Sequence, residues 1–109
     1  MALTSTLLSN VPTPIYTSVG SSVVTAMYLC NSGNLAVHFT LYAVPSGNSA
    51  SVNNAIYYEA PLTVHDTYVV DTEKLMLENG DSLQANLTLP ANVSLANVRV
   101  VATVSSIGI

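Results

Sequence analysis

The chain has 109 residues, half of them hydrophobic but only 7% charged, with a formal net charge of −4. An ordinary soluble domain carries about 25% charged residues, so this one builds a single core under a surface of Ser, Thr and Asn. Two fixed cations, Lys74 and Arg99, cannot neutralise a run of phosphates, which excludes nucleic acid and an anionic membrane surface as partners.

Every apolar run is broken well short of the roughly 20 residues of a membrane-spanning helix. Isolated soluble proteins rely on surface charge to stay apart. So little of it points to an oligomer, or to a protein docked on a larger body.

The opening stretch, MALTSTLLSNVPT, places Leu3, Leu7 and Leu8 among Ser and Thr, and Pro12 and Pro14 then impose an extended path. Residues 1–13 are expected to form an extended N-terminal arm, which can pair with its own sheet or reach across to a neighbouring subunit, the second being favoured, ahead of a β-sandwich domain over 14–109. With no basic n-region and no continuous apolar h-region, the stretch is not read as a secretory signal, and synthesis in a cytoplasm is expected. Asn86-Leu87-Thr88 and Asn92-Val93-Ser94 match the glycosylation sequon, as chance matches in that setting.

Beyond Pro14 the recurring pattern is period-two alternation interrupted by turn residues, which predicts strands. The first is expected at Ile15–Ser18. The second, Ser22–Cys30, is apolar on both faces, with Val23, Met27 and Leu29 on one and Val24, Ala26, Tyr28 and Cys30 on the other. Such a strand is covered on both sides, the second cover coming from a neighbouring chain. Asn31-Ser32-Gly33-Asn34 supplies a turn, predicting a hairpin with the next strand.

That next strand, Ala36–Val44, sends Val37, Phe39, Leu41 and Ala43 to one face and His38, Thr40 and Tyr42 to the other, until Pro45-Ser46-Gly47-Asn48 stops it. Further strands are expected at Ala55–Glu59, Thr67–Val70, Ser82–Leu89 and Val98–Ser105, with a single helical turn at Thr72–Met76. In the last strand Val98, Val100, Ala102 and Val104 face inward. Short strands at this spacing predict an all-β fold, a single antiparallel β-sandwich of about seven to eight strands, jelly-roll or immunoglobulin-like.

Residues that could carry chemistry are few. Asp66, Asp71, Glu73, Glu78 and Asp81 share one stretch, but their spacing does not supply the alternating oxygens of a calcium loop. LENGDSLQA, Leu77–Ala85, is instead expected to be a hairpin tip with Asn79-Gly80 in a type I′ turn. His65 and Asp66 are neighbours and point to opposite faces of a strand, His38 lies on an outer face, and no G-x-S-x-G occurs. Cys30 is the only cysteine, so neither an intrachain disulfide nor a zinc framework is possible. Without a cationic neighbour it is expected to be buried as a small hydrophobe. No metal, no cofactor and no enzymatic activity are expected. Six tyrosines, Tyr16, Tyr28, Tyr42, Tyr57, Tyr58 and Tyr68, favour a protein interface over a sugar-binding face.

Several elements occur in a telling order: Pro14-Ile15-Tyr16-Thr17, Tyr28-Leu29-Cys30-Asn31-Ser32, Leu41-Tyr42-Ala43-Val44-Pro45-Ser46-Gly47, Asn54-Ala55-Ile56-Tyr57, Asp66-Thr67-Tyr68 and Leu77–Ala85. Over most of residues 14 to 87 the chain resembles the small β-sandwich structural proteins of tailed bacteriophages, including marine and cyanobacterial phages. The resemblance implies a non-enzymatic virion component, assembled in the host cytoplasm. It would act as a capsid decoration or cement protein, or at a neck, tail or fibre attachment point.

The partners expected are the protein itself, as a trimer or another ring, and the major capsid protein or tail and neck proteins. The contact residues expected are Tyr28, Tyr42, Tyr57 and Tyr58, with Leu7 and Leu8 of the arm. The rival readings are a carbohydrate-binding adhesion module and a small hydrolase, for which His38 and His65 are the only candidate bases.

Overall fold

Alternating apolar and polar residues produce nine strands in this computed structural model, which describes residues 2–70, 75–89 and 98–108. They are β1 (Ala2–Leu7), β2 (Thr13–Thr17), β3 (Ser22–Asn31), β4 (Val37–Val44), β5 (Ala55–Leu62), β6 (Thr67–Val70), β7 (Leu75–Leu77), β8 (Ser82–Thr88) and β9 (Val100–Gly108). A 3₁₀ turn at Val52–Asn54, capped by Ser51, precedes β5. Leu75 and Met76, expected within a helical turn, belong to β7; the rest of that turn, residues 72–74, lies outside the described residues.

The strands form two antiparallel sheets. One runs β1-β9-β3-β6, with β7 also paired to β3, and the other runs β2-β8-β4-β5. Taking β6 and β7 as one interrupted strand, the first strand pairs with the last, the second with the last but one, and so inward to the β4–β5 hairpin. That is a folded ribbon wrapped into two layers, the jelly-roll order rather than the immunoglobulin one.

This wrapping overturns two expected hairpins. β3 and β4 do not pair, and β7 and β8 do not pair; each couple lies in different sheets. The corner after β3 is set by Asn31, a fully buried side chain. Its Nδ2 donates to the Leu35 carbonyl at 2.8 Å and to the Leu62 carbonyl at 3.4 Å, and its Oδ1 accepts from the Gly33 N–H at 3.0 Å. The chain is thereby turned across the core instead of back along its own sheet. Gly33 permits the approach, because a Cβ there would stand 2.9 Å from the Arg99 amide nitrogen.

Residues 2–7, expected to reach a neighbour as an arm, pair with β9 of their own chain, from Ala2 opposite Ser106 to Leu7 opposite Val101. Parity in β3 also differs from simple alternation. A bulge between Val24 and Ala26 inserts an extra residue, which reverses the facing of everything before it. Val24, Met27 and Leu29 therefore point into the core while Val23, Tyr28 and Cys30 point out.

The core lies between the sheets. Val24, Met27, Leu29, Val100, Ala102 and Val104 from one layer meet Ile15, Val37, Phe39, Leu41, Leu83, Ala85 and Leu87 from the other. Where the edge strands β5 and β6 face each other, three rings close the gap. Phe39 lies 5.1 Å from Tyr68 and 6.3 Å from Tyr57, and Tyr57 lies 5.6 Å from Tyr68. These are tilted and edge-on contacts of the kind aromatic quadrupoles favour.

The β5–β6 connection is a tight turn in which the Asp66 N–H donates to the Thr63 carbonyl at 3.2 Å. His65 occupies its third position at φ 59°, a left-handed conformation that costs an L-residue about 1–2 kcal/mol. Replacing it with glycine removes that strain but loosens the unfolded chain. His65→Gly is expected to raise stability by about 0.5–1 kcal/mol, read as a higher urea midpoint at unchanged slope. A lower midpoint would mean the imidazole makes contacts that outweigh the strain.

Candidate interaction surface

Side chains of the β1-β9-β3-β6 sheet that point away from the core line up in rungs fixed by the strand registers. The first rung is Leu7, Val101, Cys30 and Thr67; the second is Ser5, Thr103, Tyr28 and Val69. Leu3, Ser105 and Ala26 make the third, and Ile107, Val23 and Met76 the fourth. No side chain in these rungs is charged. Leu3 is 71% exposed, Met76 73% and Tyr28 40%, with Leu7, Val69 and Ile107 also exposed. Two of the hydroxyl side chains are paired, Ser5 Oγ lying 3.1 Å from Thr103 Oγ1, and Thr25 Oγ1, at the β3 bulge, donates to the Ser105 carbonyl at 3.1 Å. The surface is thus an uncharged, largely apolar sheet face.

The reason lies in the charge distribution. Residues 1–58 contain no Asp, Glu, Lys or Arg, and they include β1 to β4. The described charges stand at turns and at a bulge. Glu59 sits at a bulge in β5, Asp66 in the β5–β6 turn, Glu78 and Asp81 in the β7–β8 turn, and Arg99 just before β9.

The opposite outer face is chemically different. There Tyr42 is nearly buried and donates from its hydroxyl to Asn86 Oδ1 at 2.8 Å, and Thr40 Oγ1 accepts from the Glu59 N–H at 3.1 Å. Tyr58 is 60% exposed on that side. The adjacent Glu59 carboxylate, through its charge and a hydrogen bond, raises the phenol above its ordinary value. His38, Thr88 and Glu59 are exposed and Gln84 and Asn86 half-buried, so polar side chains dominate this face.

The six side chains expected to make contacts are therefore scattered. Leu7 and Tyr28 share the uncharged face, Tyr42 and Tyr58 share the polar one, Tyr57 joins the ring cluster between the sheets, and Leu8 is core at 4% exposure. Alternation places Leu8 and Leu7 on opposite sides, and the same parity separates Tyr57 from Tyr58. Leu3, Val69, Met76 and Ile107 share the uncharged face without being among the expected contacts. The signal for Leu3 was present, since it stands two residues from Ser5 and four from Leu7 on a strand. Cys30, expected to be buried, is exposed in the first rung, because Met27 and Leu29 point into the core and alternation turns Cys30 outward beside Val101.

The carboxylates of LENGDSLQA serve the fold. Asp81 Oδ1 accepts from the Ser46 N–H and Oδ2 from the Glu78 N–H, both at 2.9 Å. Asn79 Oδ1 accepts from the Gly20 N–H at 2.9 Å, and the Gly80 N–H donates to the Ser18 carbonyl at 2.9 Å. The Asp81 N–H donates to the Glu78 carbonyl at 3.1 Å. Gly80 has φ 89° while Asn79 is not left-handed, so the turn is type II and not the expected type I′. A Cβ on Gly80 would stand within 2.5 Å of Ser46 Oγ. The stretch knits three loops together at one end of the sandwich and passes the chain between sheets. Among the described residues, no three His, Cys, Asp or Glu side chains converge as a metal site would require.

No protein-family model matches the chain, and no curated protein sequence does. Among solved structures it is similar to a chain from one described as "Structure of infectious bursal disease virus Gx strain", at 13% identity and a TM-score of 0.34. The likeness covers 95% of this chain and 33% of that one. The chain thus spans about a third of that protein's length, and a likeness this distant carries no argument about what it does.

Proposed function

We propose that the protein is a non-enzymatic structural component of a tailed-phage virion, a jelly-roll module that self-associates, and that it docks on the particle through the outer face of its β1-β9-β3-β6 sheet. The observation that carries this reading is that face: four rungs without a charge, with Leu3, Leu7, Tyr28, Val69, Met76 and Ile107 exposed. Leaving such a surface in water is unfavourable by about 25 cal/mol per Å² of apolar area, and covering it is what a docking protein does. The order of elements over residues 14 to 87 supports placing it on a phage particle. A capsid decoration or cement role suits a small module with one docking face; a neck, tail or fibre position uses the same face.

Tyr28→Asp puts a charge at the centre of the second rung. It is expected to leave the unfolding midpoint near wild type, because the side chain points away from the core. Docking is expected to weaken by roughly a hundredfold, since the charge would be buried without a partner. Quantifying the protein in purified particles after complementation with either form checks this. A wild-type protein absent from particles and monomeric in solution overturns the reading.

A further inference from the structure

We infer that β1 is a self-complementary edge, and that two copies of this chain pair β1 to β1 across a two-fold axis. The inference rests on the proposed self-association and assigns it a surface and a geometry. β1 stands at the end of its sheet, and among the described residues no strand pairs with its other side. Natural edge strands are guarded by charges, prolines or bulges. β1 carries no charge and no proline, and its register with β9 is unbroken from Ala2 to Leu7.

The backbone is set for this pairing. The Leu8 N–H donates to the Val100 carbonyl at 2.9 Å, so even-numbered residues of β1 bond to β9. Antiparallel ladders alternate, which turns the N–H and C=O of Leu3, Ser5 and Leu7 toward the open edge.

The sequence matches that geometry. Leu3-Thr4-Ser5-Thr6-Leu7 reads the same in both directions. An antiparallel partner centred on Ser5 sets Ser5 opposite Ser5 of the second copy and Leu3 opposite its Leu7, twice. All three pairs fall on residues with free backbone groups and would form about six hydrogen bonds. On the uncharged face the leucines meet across the joint. Thr103, already 3.1 Å from Ser5, extends a hydroxyl row through the axis.

Area argues the same way. At about 4.8 Å per strand and 3.3 Å per residue, one copy's face offers roughly 500 Å², short of the about 800 Å² per partner of a standard interface. Two copies joined at β1 present one continuous sheet face of about twice that area. The two-fold pairing uses up both open β1 edges, so it closes at a dimer instead of propagating through them.

Three variants test the pairing. Ser5→Pro removes an N–H that points away from β9, so it breaks no ladder bond within the chain, while blocking the second copy. It is expected to raise the dimer dissociation constant about tenfold or more, measured by sedimentation, while Ser5→Ala, which removes only the hydroxyl, leaves the dimer intact. In a Cys30→Ser background, Ser5→Cys places two thiols on residues about 5.5 Å apart at Cα, within disulfide reach. Copper-catalysed air oxidation is expected to give a covalent dimer. Val19→Cys, 90% exposed in the β2–β3 turn, is expected to give none.

A dimer that survives Ser5→Pro, or Ser5→Cys that cross-links no faster than Val19→Cys, overturns the edge pairing. If Tyr28→Asp still loses its place on the particle in that case, face docking stands alone. If Ser5→Cys cross-links while Tyr28→Asp docks normally, the edge pairing stands and the face reading falls.

Discussion

Phe39→Ala is expected to lower the unfolding free energy by about 3–5 kcal/mol, the largest single loss in this protein. Phe39, the third residue of β4, is fully buried and packs against both Tyr57 of β5 and Tyr68 of β6. Its removal opens a cavity between two edge strands that no backbone hydrogen bonds hold together, and two tyrosines lose their packing partner. Domains of this size are stable by only about 5–15 kcal/mol, so the variant sits near the threshold of folding. Urea denaturation checks it. A loss under about 1 kcal/mol would mean that the flanking rings collapse into the space. Phe39→Leu, which keeps most of the volume, is expected to lose much less.

Asn31→Ala comes second, at about 2–4 kcal/mol for three lost side-chain hydrogen bonds. The cost is high because the Leu35 and Leu62 carbonyls and the Gly33 N–H lose their partner at a buried corner. Asn31→Asp separates donor from acceptor. It keeps an oxygen for the Gly33 N–H but turns a carboxylate toward two carbonyl oxygens. Burial and those oxygens raise that carboxyl's pKa in the folded state, so the folded protein binds the proton more tightly than the unfolded chain. The deficit relative to wild type is therefore expected to shrink as pH falls through the raised value and to be largest at neutral pH. A deficit independent of pH would show that the Nδ2 bonds contribute little.

Much of the strand content was legible in the residues. Thr67–Val70 was placed without error, and β2, β3, β4 and β8 were located to within about two residues, because inward apolar positions alternate with Ser, Thr and Asn. The inward set Val100, Ala102 and Val104 could be read directly. β1 and β7 were not legible. β1 has only leucines set among hydroxyl residues, and β7 has three residues, too few for a period to show.

The candidate surface was half legible. Reading β3 as apolar on both faces pointed to an outside that needs cover, but the residues on that outside depend on the bulge at Thr25, which alternation alone does not reveal. Tyrosine content was a poor guide. It drew Tyr57, which the ring cluster encloses, and Tyr42, which a hydrogen bond to Asn86 nearly buries.

By itself the sequence determined an all-β sandwich, a first half without Asp, Glu, Lys or Arg, and turns at Asn31–Asn34, Pro45–Asn48 and Leu77–Ala85. These follow from composition and short-range periodicity, which act within a few residues. Only the tertiary structure decided that the strands wrap as a jelly roll and that two apparent hairpins are passages between sheets. It alone placed β1 at an open edge and gathered Leu3, Leu7, Tyr28, Val69, Met76 and Ile107 on one face. Those features depend on which strand pairs with which across distances as long as that from Ala2 to Ser106. Pairing of that kind is settled by filling one shared core, to which every strand contributes and which no local stretch of the chain describes.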